Sequence, residues 1–256
     1  MICFSVLGSG SSGNATYIQS SCHSILLDCG FSLPQIKKRM EYLGRDISDL
    51  DAILITHEHT DHVCGLKRLL SICDIPVFMT RGTYCALQGL FDSNKNIEIF
   101  ESGDSIAVGD IYVQSFAVTH DAGDPVNYVI SHSGVRVGFA TDCGYPSKLM
   151  INKLKGCHGL IVESNYCPDM LINGPYPAHL KQRIKGRYGH LSNQQMLQIV
   201  SEVMDEALRV LVLAHISENN NHPEIVARLV RETIGSRDIQ LWITNQTHPT
   251  PLIHLS

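Results

Sequence analysis

Four potential metal ligands lie within six residues, directly after a segment that is typical of a buried strand. Residues 52–56, Ala-Ile-Leu-Ile-Thr, are compact and rich in β-branched side chains, which predicts a strand. The chain then continues as His57-Glu58-His59-Thr60-Asp61-His62. An extended segment presents alternate side chains on one side, so His57 and His59 can converge on one metal ion while Asp61 and His62 turn toward a second. A cluster at this spacing is typical of a metal site, whereas isolated histidines usually fill cores or surfaces.

Three further donors follow predicted strands later in the chain, where they can complete two coordination shells. His120 comes after the apolar segment 113–118, Asp142 follows residues 137–140, and His215 follows residues 210–214. A buried strand in each position would deliver its donor to one edge of a sheet. Because imidazole and carboxylate groups without thiolate suit Zn²⁺, Mn²⁺ or Fe, we expect two divalent ions of this kind as cofactors.

The chain as a whole is typical of a single mixed α/β domain spanning residues 1–256. It has 44% hydrophobic and 18% charged residues, which fits a folded globular protein, and no repeat or linker divides it. Helices are predicted at 35–43, after the capping box at Ser192–Gln195, and at about 222–234. Strands are predicted at 2–7, 15–19, 24–28, 52–56, 111–118, 126–132, 135–140, 159–163 and 209–214.

The N-terminus and the cysteines predict a soluble, cytoplasmic protein without a membrane span. Residues 1–7 lack the basic region of a signal peptide, and no apolar run approaches spanning length. The nine cysteines include no Cys-x-x-Cys pair, which favours reduced thiols over disulfides. A net charge of −5 gives no overall attraction for nucleic acid, so any polyanion site must be a local patch. The oligomeric state is left open.

The order of the seven donors resembles the five-motif signature of metallo-β-lactamase-fold hydrolases. The resemblance extends from Asp28 to His215, and it implies an αββα sandwich, in which two mixed β-sheets pack together, helices flank them and the metals lie at one edge. It also implies a division of the donors: the first ion is held by His57, His59 and His120, the second by Asp61, His62 and His215, and both by Asp142.

Asp28 follows the apolar residues 25–27 and is a candidate outer-shell residue. We expect its carboxylate to orient the loop from His57 to His62 by accepting hydrogen bonds, without binding metal itself. Without the resemblance, a helix or turn cap explains this aspartate equally well.

Other segments are similar to the bacterial YycJ/WalJ branch of these hydrolases. They are Ser9-Gly10-Ser11-Ser12-Gly13-Asn14, Glu163-Ser164-Asn165, Lys181-Gln182-Arg183-Ile184 and Gly189-His190-Leu191-Ser192-Asn193. Members of the branch are metal-dependent nucleases with 5′-to-3′ exonuclease activity on DNA, so the resemblance implies DNA as the partner. Tyr166-Cys167 departs from the His-Asp that we expect in many relatives, but none of the seven donors falls there.

A dense basic stretch and the histidine that follows it are candidates for substrate contact. Basic side chains bind phosphates without reading bases, so Lys181, Arg183 and Lys185 would give affinity with little sequence preference, although such runs are usually solvated helix faces. His190 can bind the scissile phosphate or protonate the leaving oxygen as general acid. Asp61 and His190 are therefore our candidate catalytic residues, and further candidate substrate contacts are Ser11, Ser12, Asn14 and Ser192.

The segment Gly8-Ser9-Gly10-Ser11-Ser12-Gly13 matches the Gly-x-Gly-x-x-Gly pattern of dinucleotide-binding proteins, and Asp28 has the matching spacing. However, the residues after it, 14–18, are β-prone. No helix N-terminus is then available for a pyrophosphate, so we expect a tight hairpin and no dinucleotide cofactor.

Several functions share these ligands. Two divalent ions can generate hydroxide near neutral pH, and only two of the seven donors are carboxylates, so the site keeps a positive charge that suits an anionic phosphodiester. We expect a phosphodiesterase, most simply a 5′-to-3′ DNA exonuclease. A small-molecule phosphodiesterase or an RNA-processing nuclease is an alternative. A thioesterase or lactamase fits the basic stretch less well, and a non-catalytic metal-binding regulatory module is disfavoured by the complete ligand set.

Overall fold

The computed structural model describes residues 1–90 and 96–256, and these residues form two mixed β-sheets of seven strands each. The first sheet has the spatial order β14-β1-β2-β3-β4-β5-β6. Its strands are β1 (Ile2–Gly8), β2 (Ala15–Gln19), β3 (Ser24–Leu27), β4 (Ala52–Leu54), β5 (Val77–Thr80), β6 (Ile97–Phe100) and β14 (Ile253–Leu255).

The second sheet has the order β13-β12-β11-β10-β9-β8-β7. Its strands are β7 (Ser105–Val108), β8 (Ile111–Ala117), β9 (Val126–His132), β10 (Val135–Ala140), β11 (Gly159–Glu163), β12 (Val210–Ala214) and β13 (Gln240–Ile243). Both sheets combine antiparallel pairs on one side with parallel pairs on the other: β3 to β6 are parallel in the first sheet, and β10 to β13 are parallel in the second.

Helices cover the outer faces of the sheets. In the described residues they are α1 (Leu33–Tyr42), α2 (Thr60–Val63), α3 (Leu66–Leu70), α4 (Arg81–Leu87), α5 (Lys148–Leu154), α6 (Pro168–Asn173), α7 (Ala178–Lys185), α8 (Asn193–Val203) and α9 (Pro223–Ile234). Short 3₁₀ turns occupy Ile47–Asp49 and Gln88–Leu90. Within the described part of the chain, no helix combines the length and the apolar composition that a membrane crossing requires.

Three buried layers hold these elements together. Side chains alternate along each strand, so Ile18 of β2 packs between the sheets while Tyr17 points to the opposite layer beneath α1 and α3. On the far side of the second sheet, Leu160 and Leu213 pack against α5, α8 and α9. The predicted αββα sandwich is therefore confirmed.

The predicted strands and helices are present, with small differences at their ends. The capping box of α8 is complete, since Ser192 and Gln195 exchange both bonds. At the end of α9, Gly235 has a φ of 60°, a left-handed conformation that glycine adopts without strain. β4 ends at Leu54 rather than at residue 56, because the backbone groups of Thr56 bond outside the sheet, its N–H with the Asp28 carboxylate and its carbonyl with the N–H of Val126. Five strands, β5, β6, β7, β13 and β14, and six helices, α2 to α7, were not predicted.

Tyr128 of β9 connects the two sheets just before the histidine cluster. Its ring is fully buried between the sheets, and its hydroxyl donates a hydrogen bond of 2.6 Å to the carbonyl of Ile55. Nearby, the N–H of Val126 donates to the carbonyl of Thr56 at 3.1 Å. The second sheet therefore fixes the backbone of the first sheet immediately before His57.

We predict that Tyr128→Phe lowers the free energy of unfolding by about 1–3 kcal/mol, because the variant loses one partner of a buried hydrogen bond. Tyr112→Phe is the matched control, since the Tyr112 side chain is 62% exposed. Urea denaturation of both variants measures the difference. Equal midpoints for the two variants would show that the Tyr128 hydroxyl does not stabilise the junction.

Candidate metal centre

The candidate donors meet at the carboxyl ends of strands in both sheets. Asp28 follows β3 of the first sheet, while Asp142 follows β10 and His215 follows β12 of the second. These three residues have φ values of 59°, 52° and 51°, in the left-handed region that few residues other than glycine adopt. Such strained backbone is often found at functional sites, and here it turns the side chain inward as the strand ends.

His57, His59 and His120 form the first group of donors. The ring centroid of His57 lies 4.6 Å from that of His59 and 4.9 Å from that of His120. Nε2 of His120 lies 3.3 Å from Nδ1 of His59. One ring nitrogen from each histidine lies within 4.8 Å of the others, which is close enough for a shared metal ion. These are the residues that the sequence assigned to the first ion.

In each histidine of the first group, one ring nitrogen forms a hydrogen bond that holds the ring, and the other ring nitrogen remains for a metal ion. Nδ1 of His57 bonds with the hydroxyl of Thr56 at 3.0 Å. Nε2 of His59 bonds with the carbonyl of Asp121 at 3.2 Å, and Nδ1 of His120 bonds with the carbonyl of Gly189 at 3.1 Å. Partners of this kind fix the tautomer and orientation of metal-binding histidines.

The donors that the resemblance assigned to the second ion are Asp61, His62 and His215, together with Asp142, and we call these four the second group. The sets whose donor atoms lie within 4.8 Å of one another here are His57, His62 and Asp142, and Asp142, Glu163, His190 and His215. Nε2 of His62 lies 3.3 Å from Oδ2 of Asp142 and 3.7 Å from Oδ2 of Asp61. Nε2 of His215 lies 3.9 Å from the same Asp61 oxygen, and its Nδ1 lies 3.3 Å from Oδ1 of Asp142. Asp142 thus faces this group and also lies 3.9 Å from Nε2 of His120. Asp61 and His62 belong to the short helix α2, not to an extended segment as the sequence predicted.

Asp28 contacts the second group where the sequence predicted an outer-shell carboxylate. Its Oδ2 bonds with Nδ1 of His62 at 2.8 Å, and Oδ1 accepts the backbone N–H and the hydroxyl of Thr56 at 2.9 and 3.0 Å. Asp28 is buried and bonds with Nδ1 of His62, while Nε2 of the same ring faces Asp61 and Asp142. The Thr56 hydroxyl also bonds with Nδ1 of His57. It therefore contacts a histidine of the first group and the carboxylate that holds His62 of the second.

Glu163 is a site residue that the sequence analysis did not assign. It is the last residue of β11 and is fully buried. Its Oε1 bonds with Nδ1 of His190 at 2.7 Å and with Nδ1 of His215 at 3.0 Å. The signal that would have found it is the one that singled out Asp142 and His215, a charged residue at the end of a buried strand.

Buried carboxylates set the charge of the facing imidazoles. Burial lowers the pKa of His62, but Asp28 and Asp142 outweigh burial and raise that pKa well above its usual value. Burial also opposes charge on His215, yet Asp142 and Glu163 raise its pKa to about 9. For Asp142, burial is outweighed by His215 and His62, which hold its pKa well below the usual range. Burial likewise opposes charge on Glu163, but His190 and His215 lower its pKa, whereas burial raises the pKa of Asp28. Asp142 and Glu163 therefore favour positive charge on the imidazoles beside them.

His57 differs from His62 and His215. Burial is the largest cause that lowers the pKa of His57 well below its usual value, and neighbouring His62 adds to the effect. A neutral imidazole is the form that binds a metal ion, so His57 is already in that form near neutral pH.

The donor set fits a divalent metal centre. Nε2 of His57, Nε2 of His215 and Oδ2 of Asp142 are buried and have no hydrogen-bond partner among residues 1–90 and 96–256. A buried polar atom without a partner is costly, and all three atoms belong to residues predicted to bind metal. Histidine nitrogens and carboxylate oxygens in this combination suit Zn²⁺, Mn²⁺ or Fe. The positive charge expected from the ligands alone is reduced, however, by the additional carboxylates Asp28 and Glu163.

A cleft of about 260 Å³ opens over the two groups, and it is lined by some of the predicted substrate residues but not by others. Ser11, Arg183 and His190 line the cleft. Nε of Arg183 donates a bond of 2.7 Å to Asp121, which also lines the cleft. Asn14 contacts the donors directly, because its amide nitrogen lies 3.3 Å from Oδ2 of Asp61 and 3.0 Å from Nε2 of His62.

Four other predicted substrate residues lie outside the cleft lining. The backbone N–H of Ser12 donates to the side chain of Gln246, and Nζ of Lys181 donates to the carbonyl of Ile172. Ser192 is buried and caps α8, so its hydroxyl serves the helix rather than a ligand. Lys185 is the exposed last residue of α7. The side of α7 that lines the cleft carries Leu180, Arg183 and Ile184, so Arg183 is the predicted basic residue of this helix that faces it.

The glycine-rich segment forms the loop of a hairpin between β1 and β2, as predicted. Oδ1 of Asn14 accepts bonds of 2.9 Å from the hydroxyl of Ser9 and the N–H of Gly10, which closes the loop. The Ser9 hydroxyl also accepts the N–H of His215 at 2.9 Å. The loop therefore joins two strands and holds the backbone of His215, and it does not lead into a helix.

Comparison with known proteins agrees with this geometry. A family model described as "Beta-lactamase superfamily domain" matches residues 23–216. Exodeoxyribonuclease YycJ of Bacillus anthracis is 33% identical over 249 residues, covering 96% of this chain and 94% of that protein. Exodeoxyribonuclease WalJ of Streptococcus pneumoniae is 33% identical over 263 residues, covering 98% and 97%. The crystal structure of the metallo-β-lactamase-fold protein YhfI from Bacillus subtilis has a TM-score of 0.73 at 17% identity, covering 98% and 99%.

The two packed sheets and the histidine–carboxylate cluster define a metallo-β-lactamase-fold hydrolase. The chain belongs to the β-lactamase superfamily and, within it, to the branch that contains YycJ and WalJ. The resemblance inferred from the motifs is thereby confirmed.

We predict that Asp28→Asn weakens metal binding by about 10- to 100-fold, because His62 loses the charged partner that orients its ring. The exposed Asp74→Asn is the matched control and should bind metal as the wild type does. Competition with a chromophoric Zn²⁺ chelator measures both affinities. If Asp28→Asn binds Zn²⁺ as tightly as the control, Asp28 does not support the centre.

Proposed function

We propose that this chain is a metal-dependent exodeoxyribonuclease that removes nucleotides from the 5′ end of DNA. The observation that carries the proposal is the cluster of histidines around the buried Asp142, which lies within 4 Å of ring nitrogens of His62, His120 and His215 at the base of an open cleft. The full-length relatives YycJ and WalJ are named exodeoxyribonucleases, which supports DNA as the substrate. Neither the number of metal ions nor the polarity of cleavage follows from these names, so both are part of the proposal.

Two divalent ions, Zn²⁺ or Mn²⁺, would be held by the two groups. His57, His59 and His120 would bind the first, Asp61, His62 and His215 the second, and Asp142 both. When bound, such ions polarise a phosphoryl oxygen and lower the pKa of water, which supplies a nucleophile near neutral pH. The unpartnered buried atoms of His57, Asp142 and His215 support this set of ligands.

Arg183 would bind the substrate phosphate. Its guanidinium lines the cleft, and its bond to Asp121 through Nε leaves the terminal nitrogens available for phosphate oxygens. Because a guanidinium contacts phosphate without reading a base, it favours cleavage with little sequence preference.

His190 would donate a proton to the leaving oxygen. It lines the cleft, with its side chain 21% exposed, and its Nδ1 is bonded to the buried carboxylate of Glu163 at 2.7 Å. That bond orients the ring and leaves Nε2 without a hydrogen-bond partner in the described part of the chain. A proton held on Nε2 is therefore available to a group in the cleft.

A small-molecule phosphodiesterase would use the same residues, and the modest volume of the cleft, about 260 Å³, is the observation that favours it. An RNA-processing nuclease is a further alternative with the same ligands. The three are distinguished by the length and sugar of the substrates that are cleaved.

The test of the proposed function is hydrolysis of 5′-labelled and internally labelled linear DNA by protein loaded with Mn²⁺ or Zn²⁺. We predict stepwise loss of nucleotides from the 5′ end. Asp142→Asn should reduce the rate by about 100-fold or more, since metal-ion catalysis is worth several kcal/mol. Asp74→Asn is the matched control. Turnover of a small phosphodiester or of RNA with intact DNA would preserve the chemistry and overturn the substrate.

His190→Ala should reduce turnover of DNA by about 10²- to 10⁴-fold, the usual contribution of a general acid. Its metal content, measured by mass spectrometry, should remain that of the wild type. His254→Ala is the control, because His254 is an exposed histidine on the edge strand β14. Unchanged turnover of His190→Ala would exclude the acid role, and a loss of metal would indicate that His190 is a ligand instead.

A further inference from the structure

The catalytic cleft is too small to hold more than a short part of a polymer. Its volume of about 260 Å³ lies below the range of about 300–1,000 Å³ that is usual for ligand pockets. If the substrate is DNA, the strand that continues from the cleaved nucleotide must lie on an adjoining surface. We propose that a second groove beside α1, the α1 groove, binds this continuing single strand of DNA; the inference rests on the proposed function.

The α1 groove adjoins the cleft and has a volume of about 440 Å³. The hairpin loop separates the two, since Ser11 lines the cleft and the next residue, Ser12, lines the groove. After β12, Ser217 likewise lines the cleft, and the next residue, Glu218, lines the groove. A strand that leaves the cleft across either pair of residues therefore enters the groove within one residue's width.

One wall of the groove is the exposed face of α1. Gln35, Lys38 and Tyr42 are exposed and line the groove together. Their spacing of three and four residues places them on one side of the helix. Tyr42 is 72% exposed, so its ring is available to a flat ligand. Residues 246–249 form the opposite wall.

The floor of the groove carries a cation with no carboxylate partner. Arg39 is only 8% exposed, and its guanidinium lies 4.0 Å from the centre of the Phe31 ring. It donates hydrogen bonds to the carbonyls of Leu7 and Gln246 at 2.6 and 2.9 Å, and it forms no salt bridge among residues 1–90 and 96–256. Its charge therefore remains uncompensated beneath the groove and attracts anions.

The charges and rings fit single-stranded DNA better than a neutral ligand. Lys38 and Arg39 supply two positive charges along the groove, against one carboxylate, Glu218. Single strands bind where cations follow the phosphates and aromatic rings stack on the bases, and such contacts need no particular sequence. Tyr42 would supply the stacking surface, and Lys38, one helical turn away, would contact a phosphate.

Binding of a fluorescein-labelled oligothymidylate of about 12 nucleotides, followed by anisotropy in a salt series, tests this groove. Tyr42→Ala should weaken binding by about 5- to 150-fold without changing the salt dependence, which is the loss expected for one stacked base. Lys38→Ala should reduce the slope of log affinity against log salt by about 0.7, the value for one phosphate contact on a single strand. The controls are Tyr112→Ala and Lys155→Ala, exposed residues that do not line the groove.

The outcomes separate the groove from the proposed function. If the wild type degrades DNA but both groove variants bind oligothymidylate as the controls do, the groove inference is wrong and the exonuclease proposal stands. If the wild type binds through Tyr42 and Lys38 but cleaves no DNA, the groove is supported and the exonuclease proposal fails. If the wild type neither binds nor cleaves DNA, both fail. Tighter binding of oligouridylate through Tyr42 would assign the groove to RNA and overturn the inference.

Discussion

Three buried carboxylates facing histidine rings are the constraint on which the rest of this structure depends. Asp28, Asp142 and Glu163 are each at most 4% exposed, and desolvated carboxylates are tolerated only beside positive charge and hydrogen-bond donors. Their neighbours His62 and His215 supply that charge when protonated, and a divalent ion supplies it when bound. A metal ion bound beside His62 and His215 would therefore replace protons, whereas His57 is already neutral near neutral pH.

The fold provides this arrangement through the two halves of the sandwich. The first sheet contributes Asp28 and the loop that carries His57, and the second contributes Asp142, Glu163 and His215. Contacts from β9 to residues 55 and 56 hold the two halves in register beside the cluster. Since the donors of each proposed ion come from both sheets, stability of the sandwich and affinity for metal should be linked.

The sequence predicted much of this site because ligands that end strands are visible as local patterns. His57, His120, Asp142 and His215 follow apolar segments, and the structure brings them close to one another. Glu163 has the same local signal, a charged residue that ends a buried strand, but its role becomes evident only from its contacts with the distant residues His190 and His215. The strands β5, β6 and β7 are four residues each, too short for their periodicity to distinguish them from loops.

Only some of the predicted substrate residues lie at the cleft, for a physical reason. Lys181 and Lys185 share a charge run with Arg183, but which side of α7 faces the cleft depends on tertiary packing that a charge pattern does not reveal. Ser192 belongs to a branch motif, yet its hydroxyl is used to cap α8. The α1 groove likewise joins residues from four distant segments, which no linear motif records.

The central claim is that the cluster binds two divalent ions that share Asp142. Anomalous diffraction from crystals of the protein grown with Zn²⁺ tests it most directly. We predict two peaks per chain, one beside His57, His59 and His120, the other beside Asp61, His62 and His215, with the Asp142 carboxylate contacting both. A single peak, or two peaks that Asp142 does not join, would contradict the dinuclear centre.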